Sequence, residues 1–267
     1  KVNLKFIKTT IPSEGYTYKI INNFTFWNNV LSKDKCNIFE SFNLPLVKNK
    51  IAKNILTIHD IRGSNTGWSY LKSKMFKEAL KRSIYNSDHI ITVSHTMRKE
   101  IRSLFPKTNV SVIYNGIDIE QFQNIKKNKL QKFKMKHNIP NEFILTVGHL
   151  EVRKNYSRLI DSIKLLKDRG ESHQLVIIGN DSGEKKKLMK KIENYILSKN
   201  VYILSNLTDE EVQCAYKLCS IFIFPSLYEG FGIPILEAMA AKKPMALSDI
   251  LVFREISENQ SMYFDNK

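Results

Sequence analysis

From residue 54 onward, short apolar runs alternate with stretches in which apolar residues recur every three or four positions. Ile55 to Ile58 reads as a strand and Tyr70 to Tyr85 as a helix; His89 to Val93 and Thr96 to Leu104 repeat the pair, and Val110 to Tyr114 adds a strand. The rhythm resumes with strand Phe143 to Val147, then a helix carrying Leu159, Ile160, Ile163 and Leu166 and closed by Gly170. Strand Leu175 to Ile178 follows, then a helix whose apolar side holds Leu188, Ile192, Tyr195 and Ile196. The series ends with strand Val201 to Leu204, a helix at Asp209 to Leu218, strand Ile221 to Phe224, a helix at Pro234 to Ala241 and a strand near Met245 to Ser248.

Strand and helix in alternation specify an α/β fold with parallel sheets. Two such runs imply two Rossmann-like lobes: an N-terminal lobe over 1–120, incomplete, a lysine-rich connecting segment over 121–140, and a C-terminal lobe over 141–267. Before residue 54 the pattern is less regular, with Lys1 to Thr9 read as a strand and Tyr16 to Leu31 as a helix. The chain opens on Lys1 and stops just after an apparent last strand near Met262, so a fragment of a longer protein is expected, truncated at its end. In open parallel sheets ligands bind beyond the carboxyl ends of the strands, so the cleft between the lobes is the default site.

Composition narrows this picture. Cys36, Cys214 and Cys219 form no CxxC pair, which argues against a disulfide framework and a zinc site and favours a reducing, cytoplasmic setting. No apolar run is long enough to cross a bilayer. With 42 Lys+Arg against 26 Asp+Glu, the formal charge of +16 suggests an anionic partner, although the chain is also rich in Ile and Asn, a compositional bias that can add lysine without any function. The lysines between Lys126 and Lys136, and Lys185, Lys186, Lys187, Lys190 and Lys191, read as solvated faces that could rest on anionic head groups at the inner face of a membrane. A nucleic-acid partner is not expected, because no aromatic-basic pattern accompanies the charge.

Three strand ends carry unusual residues. His59-Asp60 follows Ile58; a histidine there could bond a substrate hydroxyl or act as a base, but a lone histidine is more often structural. Gly148-His-Leu-Glu-Val-Arg-Lys154 joins a strand to a helix with Asn155 at the N-cap position. Arg153 and Lys154 oppose the helix dipole at about a few tenths of a kcal/mol each, and a bound phosphate would reverse that sign. The alternative is that both side chains extend into water. The third end is Phe224-Pro-Ser-Leu-Tyr-Glu-Gly-Phe-Gly232, leading to Pro234 at a helix start. Glu229 then lies on a loop whose glycines, Gly230 and Gly232, allow close backbone approach, whereas Glu237 lies in an apolar helix and needs partners. Either ligand hydroxyls or an ion pair with Lys242 or Lys243 could supply them.

Two rival chemistries fit poorly. Gly230-Phe-Gly232 as a dinucleotide fingerprint fails because Ile235 holds the third glycine position and Pro234 intrudes. Glu229 and Glu237 as a glycosidase acid and nucleophile would have to flank one bond, yet they occupy unlike environments. No P-loop, HExxH or GxSxG motif occurs.

Glu229-Gly-Phe-Gly-Ile-Pro-Ile-Leu-Glu237 resembles the E-x7-E motif of retaining GT-B glycosyltransferases of group 1, family 4. The resemblance extends through Thr57-Ile-His-Asp60, Val93-Ser94, Tyr114-Asn-Gly-Ile-Asp118 and Val147-Gly148 to Arg153-Lys-Asn155, in order over residues 54 to 267. It implies a nucleotide-sugar donor, GDP-, UDP- or dTDP-linked, no metal or other cofactor, and a glycan or lipid-linked hydroxyl acceptor in surface polysaccharide or glycolipid assembly. By position, Glu229 matches the glutamate beside the transferred sugar and Glu237 the one that holds the ribose. Gly230, Phe231 and Gly232 match the loop at the donor sugar and diphosphate, Arg153 and Lys154 the diphosphate-binding pair after Gly148, and His59 a histidine facing the reaction centre.

The His-Asp and Arg-Lys-Asn patterns resemble members that transfer mannose or rhamnose. There are departures: His149 stands where many relatives carry Arg, and no glycine-rich loop of the first lobe is recognisable before residue 54. A fragment lacking those parts is expected to transfer weakly, so a non-catalytic sugar-nucleotide-binding module is the competing expectation.

Overall fold

A computed structural model describes residues 37–42, 46, 48, 52–61 and 70–266. The expected strand Lys1–Thr9, the helix Tyr16–Leu31 and Cys36 lie outside the described residues. The chain divides into two compact units, one formed by residues up to Val93 with Arg98–Ile113, the other by Ser94–Met97 with Tyr114 onward.

The first unit holds four parallel strands in the order β1 (Ile38–Ser41), β2 (Lys53–Ile58), β3 (His89–Thr92) and β4 (Val110–Val112). Helix α1 (Tyr70–Asn86) links β2 to β3, and α2 (His95–Leu104) links β3 to β4. Leu56, Ile58 and Ile90 from the strands and Leu80, Ile84 and Ile101 from the helices are buried. The tight β2–β3 pairing is locked at its start, where the Asp88 carboxylate accepts from the Asn54 amide at 2.8 Å.

The second unit begins with two short helices, α3 (Glu120–Gln123) and α4 (Lys127–His137). These occupy the expected connecting segment 121–140, which here folds as part of the second unit. The reason is that its lysines mask two inward phenylalanines. Phe122 meets the Tyr216 ring edge-on at 5.8 Å, and Phe133 is buried. Lys136 and His137 both reach the Glu211 carboxylate at 2.8 Å.

Beyond α4, β5 (Ile144–Val147), α5 (Tyr156–Asp168), β6 (Leu175–Ile178), α6 (Lys185–Asn194) and β7 (Val201–Leu204) form one half of the unit. Helix α7 (Asp209–Leu218), β8 (Ile221–Phe224), α8 (Ile233–Ala240), β9 (Met245–Ser248), α9 (Leu251–Ile256) and β10 (Met262–Phe264) form the other. All six strands are parallel, in the order β10-β9-β8-β5-β6-β7. Strand order therefore grows outward in both directions from the β5–β8 pair, which makes the gap beyond the ends of β5 and β8 the topological switch point where open α/β sheets bind ligands.

The packing explains why these segments take these forms. Alternation along β8 sends Phe222 and Phe224 to one face, where Phe224 stacks on Phe253 with ring centroids 4.9 Å apart. Its neighbour Ile223 packs on the opposite face against the cluster of Leu159, Ile160, Ile163, Leu188, Ile192 and Leu197. Helix α7 starts at a reciprocal cap in which Thr208 and Glu211 satisfy each other's backbone amides. Helix α6 ends in a Schellman turn, Ile196 donating to the Glu193 carbonyl and Leu197 to that of Ile192. Leu197 is thereby drawn into the core, and Ile196 is held at φ +53°, a left-handed conformation that costs an L residue about 1 kcal/mol or more. No described helix is long and apolar enough to cross a membrane.

Candidate functional site

The chain leaving β5 turns at Gly148 and runs through a 3-10 turn, Val152–Lys154, into α5. Gly148 has φ +149°, and a Cβ there would stand 2.9 Å from Lys154 Cε and 3.1 Å from its Nζ, so the glycine makes the seat for that lysine. Tyr156, fully enclosed at the start of α5, donates its hydroxyl to the Gly148 carbonyl at 3.0 Å.

The chain leaving β8 crosses the same end of the sheet as the loop Pro225–Gly232. Two hydrogen bonds tie the loops together: the Leu227 amide donates to the Arg153 carbonyl at 2.8 Å, and the Arg153 side chain donates from Nη1 to the Tyr228 carbonyl at 3.1 Å. Asn155, expected at the N-cap, holds that position in a left-handed conformation but makes no side-chain cap. Its amide instead reaches the Asn266 carbonyl at 3.2 Å, and Asn266 in turn reaches the Ser226 carbonyl at 3.2 Å.

Within this frame Glu229 meets both cations. Its Oε1 lies 2.6 Å from Lys154 Nζ and its Oε2 2.5 Å from Arg153 Nη1, with side-chain exposures of 10, 7 and 12% respectively. Ser226 donates to Oε1 at 2.9 Å, Glu151 pairs with Arg153 at 2.7 Å, and the Lys154 ammonium sits 4.6 Å above the Phe224 ring. Arg153 and Lys154 therefore do not extend into water. Burial alone would raise the Glu229 carboxyl, but the charges of Lys154 and Arg153 and their hydrogen bonds outweigh it and hold the group below the ordinary carboxylate range. Burial pulls the Lys154 ammonium below its ordinary value, against the opposing pull of Glu229.

The other expected residues fall around this cluster. Gly230 and Phe231 are buried; the Gly230 carbonyl accepts from Ser94 Oγ at 2.8 Å and the Phe231 ring lies 5.7 Å from that of Tyr114. Gly232, at φ +110°, is the cap residue of α8. Glu237 lies on α8 and is partnered neither by Lys242 nor by Lys243: it accepts from the Tyr216 hydroxyl at 2.7 Å, while Lys243 donates to the Cys219 carbonyl. The chain turns just after the helix, at Lys242, through φ +58°. His59 is exposed directly after β2 and belongs to the first unit. Glu151, Ser226, Phe224 and Tyr216 join the site without having been singled out by sequence; the first three lie in the same two segments as Arg153 and Glu229, whereas Tyr216 is distant from them along the chain. Among the described residues no group of three His, Cys, Asp or Glu is placed to hold a metal ion.

Burial raises the Glu237 carboxyl above its ordinary value, against the Tyr216 hydrogen bond, with Asp209 adding to the rise. A carboxyl raised in the folded state takes stability away as pH rises through its unfolded value. Glu237→Gln is therefore expected to raise the melting temperature at neutral pH, with the gain vanishing below about pH 4, where the acid is protonated in both states. A melting temperature lowered at pH 7 would contradict the assignment.

A buried cation pair at the switch point of a parallel α/β sheet, beside a glycine-bearing loop and a helix start, is an arrangement suited to an anionic ligand. Comparison with known proteins carries this further. The model of the family "Glycosyl transferases group 1" matches residues 127–265, and that of "Glycosyltransferase Family 4" matches residues 39–121; the chain belongs to the group 1 glycosyltransferases. The O-antigen chain mannosyltransferase RfbU of Salmonella typhimurium is 31% identical over 222 residues, covering 82% of this chain and 58% of RfbU, so the chain spans little more than half the length of that relative. Among solved structures, WaaG, a glycosyltransferase involved in lipopolysaccharide biosynthesis, matches with a TM-score of 0.77 at 17% identity, over 97% of this chain and 72% of WaaG. HepE of Anabaena, solved with UDP and glucose, matches with a TM-score of 0.67 at 20% identity, over 80% of this chain and 58% of its own.

Proposed function

We propose that the protein transfers a sugar from a nucleoside-diphosphate donor to a hydroxyl acceptor with retention, in surface-polysaccharide assembly. The observation that carries this is the Glu229–Lys154–Arg153 cluster. Two buried cations share one loop carboxylate at the place where a helix start already favours an anion.

In the donor complex the diphosphate takes over Arg153 and Lys154, and Glu229 turns to the hydroxyls of the sugar. As the bond from the anomeric carbon to the diphosphate oxygen breaks, negative charge grows on the leaving group and these cations, with the α5 amides, stabilise it. The acceptor oxygen forms its bond to the anomeric carbon on the same face, and its proton passes to the departing diphosphate. Side-chain cations supply the neutralisation, so no metal is assigned. Glu237, oriented by Tyr216, accepts from ribose hydroxyls, and the Gly230–Phe231–Gly232 backbone lines the sugar and diphosphate. His59 is assigned to the reacting sugar. The names of relatives such as RfbU support mannose as the sugar and an O-antigen-like glycan as the acceptor class.

Calorimetric titration with GDP, UDP and dTDP tests the donor assignment, with one of them expected to bind. Turnover with the matching nucleotide sugar then tests transfer. If none of the three binds, the site assignment fails; binding without turnover, with acceptor glycans of several kinds present, would leave a binding module in place of a transferase.

A further inference from the structure

Glu255 on α9 draws together two stretches that lie far from it along the chain, the segment Ser94–Met97 and Tyr114, all within the second unit. Its Oε1 accepts from the His95 amide at 2.6 Å and from the Tyr114 hydroxyl at 2.8 Å. Its Oε2 accepts from the Thr96 amide at 2.8 Å and from the Thr96 hydroxyl at 2.6 Å. These four donors are neutral, and two of them are first-turn amides of α2, where a negative charge is favoured. Burial would raise the Glu255 carboxyl, but the bonds from Thr96, Tyr114 and His95 outweigh it and hold the group below the ordinary carboxylate range. Burial, with Glu255 adding to it, pushes the Tyr114 phenol up to about 12, so the phenol keeps the proton that it donates.

Both stretches reach the loop that carries Glu229. Ser94, wholly buried, donates its hydroxyl to the Gly230 carbonyl at 2.8 Å and accepts from the Met97 amide at 3.0 Å, so the hydroxyl is engaged on both sides. The Tyr114 ring lies 5.7 Å from that of Phe231, the next residue of the loop, which is buried. Helix α9 supports the end of the loop as well: the Phe253 ring stands 3.2 Å from where a Cβ on Gly232 would be. One acid thus orders two successive residues directly after Glu229, through two different intermediaries.

We propose that Glu255, acting through Ser94 and Tyr114, positions the donor loop so that Glu229 changes partners by side-chain rotation about a fixed backbone. This rests on the donor reading above, in which Glu229 leaves Arg153 and Lys154 for the hydroxyls of the sugar. The Gly230 carbonyl belongs to the same peptide unit as the Phe231 amide, so the bond from Ser94 and the ring contact from Tyr114 pin that unit from both sides. With the backbone pinned there, the Glu229 carboxylate reaches the sugar in one geometry. A loop free to drift would scatter it, and a misplacement of about 1 Å costs roughly 10²-fold in rate. Glu255 is a positioning residue, because it acts through other side chains and meets no reacting atom.

Hydrogen exchange on the free protein and donor kinetics test it. Glu255→Gln keeps the shape, but an amide nitrogen cannot accept, so whichever way it turns one pair of donors is lost. Amides of the loop 225–232 should exchange about ten-fold faster in Glu255→Gln and Ser94→Ala, with β8 and β9 as protected as in wild type. Thr96→Val, which deletes one bond at nearly constant shape, and Tyr114→Phe, which keeps the ring, should loosen the loop less, and Thr96→Ser should match wild type. Asp249→Asn releases Arg254 on the same helix from bonds of 2.6 and 2.8 Å and should leave the loop unchanged. In turnover, kcat and kcat/KM of Glu255→Gln should fall together by about ten-fold, with KM within about two-fold of wild type. Unchanged loop exchange in both Glu255→Gln and Ser94→Ala, equal loosening by Asp249→Asn, or a raised KM with kcat intact would each overturn the proposal. Exchange is read without nucleotide, so it decides the role of Glu255 separately from the titrations that decide the donor reading.

Discussion

Lys154→Ala is expected to remove measurable nucleoside-diphosphate binding while leaving the second unit folded. The four charged groups at the site, Glu151, Arg153, Lys154 and Glu229, sum to zero in the free protein. Taking away the lysine leaves a net charge of −1 facing an incoming diphosphate, and also deletes one charge-assisted bond in a region where side chains are 7 to 12% exposed. Loss of one partner from a buried pair of this kind costs about 2–5 kcal/mol of binding, or roughly 30-fold in affinity at the least. The fold should lose less, because Arg153 still holds Glu229 and Ser226 still donates to it. Lys154→Met, which keeps the stem over Phe224, separates charge from packing: it should bind no better than the alanine variant yet melt closer to wild type.

Glu229→Gln should act with the opposite sign on simple anions. It frees both cations, so inorganic pyrophosphate should bind more tightly than to wild type, while discrimination between a nucleotide sugar and the bare nucleotide falls. Since the Glu229 carboxyl is held low in the folded state, its contribution to stability is complete above its ordinary value near pH 4.5 and is lost as pH falls through the depressed one. The glutamine variant should therefore show a smaller loss of melting temperature on acidification. If Lys154→Ala binds nucleotide normally, the cation pair is a structural clamp and the donor lies elsewhere.

How far the sequence discloses this depends on the range of the interaction. Strands β6, β7, β8 and β9 coincide with their apolar runs, since a continuous Leu175–Ile178 or Ile221–Phe224 is compatible with little else between polar flanks. Helix α8 begins at Ile233, one residue before the Pro234 that signals it. Three elements gave no signal. In β1, only four residues long, exposed and intermediate positions alternate. In α3 and α9 a few inward side chains, Phe122 and then Val252, Phe253 and Ile256, are interleaved with polar and charged ones. Composition misleads most at α4, where lysine frequency suggests a spacer and Phe133 anchors a packed helix.

At the site, the separate loops and their residue types are legible, but their pairing is not. Glu229 meets Lys154 across 75 residues, and only the adjacency of β5 and β8 brings the loops together. The same holds for Glu237. Near neighbours Lys242 and Lys243 offered themselves, yet its partner is Tyr216 on α7, 21 residues earlier and wholly buried. A family pattern supplies residue positions; the charge balance that Glu229 imposes on Arg153 and Lys154 emerges only when the switch point is assembled.

Gly179→Ala is expected to damage the fold and the site through one backbone contact. A Cβ on Gly179 would fall 1.9 Å from the Gly148 carbonyl oxygen and 2.7 Å from its carbon. Neither atom belongs to a side chain that could swing aside. The Gly148 amide is bonded to the Ile178 carbonyl and the Gly179 amide to that of Leu204, each at 2.9 Å, while Ser205 and Tyr156 hold the Gly179 and Gly148 carbonyls. The methyl can be admitted only by parting the ends of β5 and β6. Overpacking usually costs about 1–3 kcal/mol, and this case lies at or above the upper end, a fall of roughly 10 °C in melting temperature for a unit of this size. Because Gly148 forms the seat of Lys154, the parting also moves the cation away from Glu229, so nucleotide affinity should drop even in the fraction that remains folded. Gly116→Ala, where a Cβ would meet nothing within 4 Å, is the matched control and should melt within about 2 °C of wild type. Equal melting temperatures for the two variants would mean that the loops after β5 and β6 are not in contact, and the cation seat would lose its structural basis.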